Sequence, residues 1–129
     1  MLAGDFFYIN TFEHSDGKIN AVLEIDAAHK IFEGHFPGQP VVPGVCMMQM
    51  VKEVLEQALA KPTRLANADN LKFLTVIDPR ENNLIHAEIK YVVGEDGGIK
   101  VGASLLNEGV VYFKMGGVFV VEKSSISVQ

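Results

Sequence analysis

The stretch Gly34-His35-Phe36-Pro37-Gly38-Gln39-Pro40-Val41-Val42-Pro43-Gly44-Val45-Cys46-Met47-Met48-Gln49-Met50-Val51-Lys52-Glu53 decides how this chain folds. Its first half, Gly34 to Gly44, sets three prolines and three glycines around one histidine, His35. Proline fixes φ and donates no backbone hydrogen bond, so this half is neither regular helix nor inner strand. The second half has no breaker from Val45 to Lys61, and Pro62 stops it. From Val45 to Val51 only Gln49 is polar, the pattern of a helix held inside a fold rather than on its surface. Pro43, tolerated in a first helical turn, marks the start of a helix expected over Gly44 to Ala60. A rigid, histidine-bearing loop therefore delivers the chain into a buried helix.

Outward from that junction the chain reads as strands. Lys18 to Ile25 alternates Ile19, Ala21, Leu23 and Ile25 against polar positions, the period of a half-buried strand. Phe6 to Glu13 is aromatic and β-branched, and His14-Ser15-Asp16-Gly17 between the two is a hairpin turn. Ala27 to Glu33 leads into the loop without a clear pattern. After the helix, Thr63 to Asp69 reads as a polar turn and Asn70 to Ile77 as a strand closed by Asp78-Pro79. Leu84–Val93, Ile99–Leu106 and Val110–Val121 follow as strands joined by the turns Glu95-Asp96-Gly97-Gly98 and Asn107-Glu108-Gly109. The pair Gly116-Gly117 points to a bulge or bend. Such short turns demand antiparallel pairing. The expected fold class is α+β, an antiparallel β-sheet of six strands wrapped around one long buried central helix.

Length and composition limit the function. The 129 residues fit one domain, 1–129, and 48% hydrophobic content is enough to bury a core. A net charge of −5 without a basic run speaks against nucleic acid as a partner. No apolar run approaches the roughly 18 residues a membrane span needs. The start, Met1-Leu2-Ala3-Gly4-Asp5, lacks a basic segment and a long apolar one, so no signal peptide is expected and the cytoplasm is the expected compartment. The single cysteine, Cys46, rules out an internal disulfide and, inside the apolar helix, reads as a small buried hydrophobe. No spacing among His14, His29, His86 and Cys46 suggests a metal site.

The chemistry is expected where loop meets helix. A helix N-terminus offers unpaired N–H groups and partial positive charge, which suit an oxygen gaining negative charge. Gly44, without a Cβ, lets a substrate approach those N–H groups, and a histidine just upstream can act as a base near neutral pH. Such a pair would polarise a carbonyl and take a proton from the neighbouring carbon. The competing reading makes Gly34 to Gly44 merely an awkward turn, with His35 a satisfied polar residue.

The residues themselves carry a resemblance. His35-Phe36-Pro37-Gly38, then Pro40, then Pro43-Gly44-Val45 resembles the signature of the hot-dog-fold 3-hydroxyacyl-acyl-carrier-protein dehydratases, the FabZ/FabA-like family. Leu71-Lys72-Phe73-Leu74 followed by Asp78-Pro79 resembles the strand after the helix in that family. The resemblance implies a single hot-dog domain working as a homodimer or an assembly of dimers, with sites at the subunit interface and no cofactor. It implies His35 as the base, the Gly44 N–H as holder of the thioester carbonyl, and Phe36 and Val45 as substrate-binding residues. The substrate it implies is an acyl thioester on acyl-carrier protein or coenzyme A. The family's second catalytic residue is a helix carboxylate fourteen positions after the histidine, reaching across from the other subunit. In this sequence that position is Gln49.

An amide holds a hydroxyl or a water but delivers no proton at neutral pH. Three functions follow. One is a dehydratase with Gln49 as orienter. The second is a catalytically reduced subunit completed by a related dehydratase in a heterodimer. The third is a hot-dog thioesterase in which Glu53 would activate water. Glu53 itself lies where the helix turns polar and is expected to be a solvated glutamate. Asp69 and Glu33 are further candidate acids without a place in the pattern. Met47, Met48 and Met50 are expected to pack the core, some of them lining an acyl tunnel.

Overall fold

The computed structural model describes residues 1–33 and 40–122, so His35 and Phe36 lie outside the described residues. Within them β1 (Phe7–Ser15) and β2 (Lys18–Ile25) form the expected hairpin, followed by a short 3-10 turn at Lys30–Phe32. The helix α1 runs Gly44–Leu59, and β3 (Thr63–Phe73), β4 (Leu84–Val93), β5 (Ile99–Asn107) and β6 (Val110–Val121) complete the chain. All pairings are antiparallel, in the spatial order β1-β2-β4-β5-β6-β3. β2 lies near one edge and β3 forms the other, so the chain between them spans the sheet and carries α1 across its inner face.

Period-two alternation places Ile19, Leu23 and Ile25 of β2, Ile85 and Ile89 of β4, Val101 and Leu105 of β5, and Phe113 and Phe119 of β6 on that inner face. Against them α1 buries Met47, Met50, Val51, Val54 and Leu55, spaced three and four apart. Each fully buried side chain of this size contributes about 1.5–3 kcal/mol. The helix ends at Ala60, which takes a left-handed conformation (φ 56°), and Ala60 N–H donates to Glu56 O at 2.7 Å.

Three expectations are corrected. Thr63 to Asp69 is no turn: it is the first part of β3, which ends at Phe73, while Leu74 to Ile77 is irregular. Polar Arg64, Asn67 and Asp69 disguise it because β3 is an edge strand exposed over most of its length. The irregularity near Gly116-Gly117 falls in the facing strand, where β3 shifts register between Leu65 and Asn67 and again between Ala68 and Asn70. Gly117 allows it, since a Cβ there would lie 2.5 Å from the Asn67 carbonyl oxygen. Finally, α1 is not buried all round. Val45 is 73% exposed, and Met48, Gln49 and Lys52 are only half-buried, so one apolar stripe stays open beside β3.

Candidate functional site

At the helix start Pro43 is the N-cap rather than a first-turn residue, and it has no side chain to cap with. Its carbonyl accepts from Cys46 N–H at 3.0 Å and Met47 N–H at 3.2 Å. The N–H groups of Gly44 and Val45 have no acceptor among the described residues. No acidic side chain lies in the first turn to compete for them. A carbonyl oxygen placed here meets donors and the positive end of the helix dipole.

The close approach at Gly44 is made by a neighbour within the chain. A Cβ built there would sit 2.8 Å from Cε1 of Phe73, whose ring stacks on Phe113 with centroids 4.9 Å apart. The two motifs singled out in the sequence therefore meet: glycine is required because the phenylalanine of the later strand lies over its Cα.

One turn further along, Val45, Met48, Gln49 and Lys52 fall on a single helix face at i, i+3, i+4 and i+7. Together with Leu65 of β3 and Met115 and Phe119 of β6 they line a cavity of about 230 Å³. Its walls are mostly apolar, and Gln49 is the uncharged polar side chain in them. Lys52 Nζ lies 3.3 Å from Glu56 Oε2, whose carboxylate also accepts from Thr63 N–H. A larger concavity of about 420 Å³ lies on the outer face of the sheet, floored by Gly102 and Gly116 and rimmed by lysines. It faces away from the helix and takes no part in this site.

Glu53 departs from expectation. It is only 4% exposed, not a solvated glutamate. Its Oε1 accepts from Ala3 N–H at 2.8 Å, and its Oε2 accepts from Leu2 N–H at 2.7 Å and from Gln49 Nε2 at 2.8 Å. The N-terminal segment folds back over the helix and brings two free backbone donors to a carboxylate that would otherwise be stranded. This was invisible in the sequence, because a glutamate bonded by main-chain groups some fifty positions away carries no local pattern. The only trace was the i, i+4 spacing of Gln49 and Glu53.

Of the expected site residues, the structure groups Val45 and Gln49 around one cavity and sets Gly44 at the helix start beneath Phe73. Cys46 is buried, and burial pushes its thiol up from the ordinary range, as suits a packing residue. Met47 and Met50 are core, and Met48 lines the cavity. His29 Nδ1 accepts from Ile31 N–H and its Nε2 lies 3.0 Å from Asp5, so it is a capping residue. His14 is bonded to Tyr91, and His86 is exposed on the sheet. Glu33 and Asp69 are both exposed, the latter accepting from Asn67. Among the described residues no helix is long and apolar enough to cross a membrane.

Six antiparallel strands around one long central helix define the hot-dog class, and comparison with solved structures agrees. The dehydratase heterocomplex ApeI:P from Xenorhabdus doucetiae superposes with a TM-score of 0.69 at 19% identity, over 87% of this chain and 96% of that one. A structure from Ralstonia eutropha described as a putative thioesterase gives 0.63 at 15% identity, over 86% and 83%. At such identities the likeness is one of fold alone. The chain belongs to the ApeI-like dehydratase family: the family model, described as ApeI dehydratase, matches residues 11–96. It is also 32% identical to the 3-hydroxyacyl-acyl-carrier-protein dehydratase FabZ of Moorella thermoacetica, over 76% of this chain and 85% of the relative. The FabZ of Lactococcus lactis subsp. cremoris is 32% identical over 57% of this chain, and the match spans 56% of that relative's length, little more than half.

Proposed function

We propose that this protein is a dehydratase acting on 3-hydroxyacyl thioesters carried by acyl-carrier protein, in fatty-acid or related lipid or polyketide biosynthesis in the cytoplasm. In this reading the thioester carbonyl lies against the Gly44 N–H at the helix start, beside Val45 and Phe36. His35 removes the proton from the carbon next to the carbonyl. The carbon–carbon double bond forms as the β-carbon–oxygen bond breaks, and Gln49 holds the departing hydroxyl. The proton that oxygen needs comes from the imidazolium that His35 has become, directly or relayed through one water, since an amide supplies none. No cofactor enters the chemistry. A single domain over 1–129 carries both halves of the machinery.

The observation that carries this reading is the open helix face: donors at Gly44 and Val45 that have no acceptor among the described residues, then an apolar cavity with Gln49 in its wall. It is supported by membership of a dehydratase family. The test is direct. Purified protein given a 3-hydroxyacyl-acyl-carrier-protein should form the conjugated enoyl thioester, and His35→Ala should lower the rate by about 10²–10⁴. Turnover unaffected by His35→Ala would sink the proposal.

The open stripe also supports a partnered state. Among the described residues β3 pairs with β6 alone, and beside it Leu71, Phe73, Leu74 and Val76 are exposed together with Val45. A second copy, or a related dehydratase, would pair with that edge and cover these side chains. The reduced-subunit reading gains from the same edge and from the amide at position 49, and a dehydratase heterocomplex exists on this fold. It predicts activity only when a carboxylate-bearing partner is added. The thioesterase reading has less support, because two backbone N–H groups and the Gln49 amide occupy the Glu53 carboxylate.

A further inference from the structure

The hollow of about 420 Å³ on the outer face of the sheet is large enough for a small molecule, and register sets its boundaries. Lys18, Lys90, Gly102, Gly116 and Asn70 follow one another in a single row across β2, β4, β5, β6 and β3. Strands lie about 4.8 Å apart, so Lys90 and Asn70 stand roughly 14 Å from each other with two bare glycines between them. Glu88, Ser104 and Lys114 form the next row. Neither glycine is demanded by the fold. Neither has a positive φ; a Cβ at Gly102 would meet nothing within 4 Å, and one at Gly116 would make ordinary contacts at 3.9 and 4.0 Å. Glycine inside a strand weakens it, and where the backbone gives no reason for it, it marks close approach by another group. The charges around this floor are equally uneconomical for the fold alone. Lys18 faces Lys90 directly, a like-charge pairing that costs stability. Lys18, Lys90 and Lys114 line the hollow against one acid, Glu88, and among the described residues none of the three lysines is ion-paired. A second hollow, of about 350 Å³, shares Lys18, Lys90 and Gly102 and adds Lys100. In a chain of net charge −5, positive charge is gathered here.

We propose that this hollow binds the di- or triphosphate group of a small molecule, seated on the peptide floor at Gly102 and Gly116 and held by Lys18, Lys90 and Lys114. The bare glycines let the anion sink between the lysine stems, so that ammonium groups meet it from several sides rather than from above. A concave site walled by charge of one sign also concentrates the opposite sign from solution. Lys90 and Lys114 stand on strands about 10 Å apart, on opposite sides of the floor, so a chain of two or three phosphates spans them and a single phosphate does not. Glu88 opposes an anion at the Ser104 corner and leaves the glycine row as the favourable floor. The hollow faces away from α1, so this site is separate from the one proposed for dehydration and its test does not depend on that activity.

The experiment is calorimetric titration of the full chain with orthophosphate, tripolyphosphate and ATP, at about 0.15 M salt, where attraction to scattered surface charge is screened. Wild-type protein should bind tripolyphosphate at least about tenfold more tightly than orthophosphate, the gain from one further charge-assisted contact. Gly102→Val fills the floor with a residue that suits a strand and meets no neighbour at its Cβ. It should abolish tripolyphosphate binding while leaving the unfolding midpoint and the sedimentation of the protein unchanged. Lys90→Gln removes a charge that faces Lys18, so it should weaken tripolyphosphate about tenfold without lowering the midpoint. Tighter binding of ATP than of tripolyphosphate assigns the ligand to the nucleotides, and equal or weaker binding assigns it to inorganic polyphosphates. The proposal is overturned if neither tripolyphosphate nor ATP binds, or if Gly102→Val or Lys90→Gln binds tripolyphosphate as the wild type does. It is also overturned if Gly102→Val alters the assembly state, for then the glycines serve packing between chains.

Discussion

Replacing Gln49 by glutamate would set two carboxylates where an amide and a carboxylate now meet at 2.8 Å. Two unit charges about 4 Å apart repel by roughly 4 kcal/mol at the effective dielectric of a protein site. Leu2 and Ala3 fix Glu53 in place, so the new carboxylate cannot relieve the repulsion by displacing it. The pair therefore keeps one proton to a pH above the usual carboxylate range and shares it in a short O–H···O⁻ bond. That proton belongs to the pair as a unit. Gln49→Glu thus introduces a general acid at the position where the departing hydroxyl is expected. The expected gain in dehydration is about 10²–10⁴, read from the absorbance of the enoyl thioester. The acid is the protonated pair, so the gain should be greatest below the pair's titration and fade as pH rises through it. Stability must follow the same direction: a carboxyl that binds its proton more tightly when folded destabilises the protein as pH rises past that point. Denaturant unfolding of Gln49→Glu should show a deficit relative to wild type that grows from pH 5 to pH 9. The reasoning is refuted if turnover stays at the wild-type level across that range while the stability deficit is present, for then the proton is held in the wrong place.

Other substitutions probe the packing around the site. Glu53→Ala strands two backbone N–H groups and the Gln49 amide, which should cost about 2–4 kcal/mol and be visible as a lower unfolding midpoint; an unchanged midpoint would mean that the N-terminal segment contributes nothing. Gly44→Ala drives a methyl to 2.8 Å from the Phe73 ring and should cost about 1–3 kcal/mol. Combining it with Phe73→Leu should recover part of that loss, and strict additivity in the double-mutant cycle would argue against the contact. Leu74→Lys and Val76→Lys place charge on the apolar strip beside β3, where Val76 is 69% exposed. Sedimentation should show dissociation toward monomer together with loss of dehydration, and an active dimer would place the interface elsewhere.

The element order was legible because each strand declares itself locally. Ile19, Ala21, Leu23 and Ile25 alternate, as do Ile85, Ala87 and Ile89, and one inner face follows from period two. The helix was legible from the apolar run between Gly44 and Lys61, and the need for glycine at its start from the motif there. Edges were harder. Thr63 to Asp69 looked like a turn because an edge strand exposed on both faces has no alternation to show. The helix looked buried all round because Val45 and Met48 are as apolar as Met47 and Val51, although only the latter pair is buried.

The sequence by itself determined the sheet around a helix and the family, and it sets Gln49 at the position where the resemblance implies a carboxylate. Local pattern and a specific motif suffice for these, since each depends on residues near one another in the chain. Only the tertiary structure decided what covers Gly44, which helix stripe remains open, and how Glu53 is held. Those are contacts between distant segments, Gly44 with Phe73 and Glu53 with Leu2 and Ala3, and burial of a charge is decided by the donors that folding brings to it.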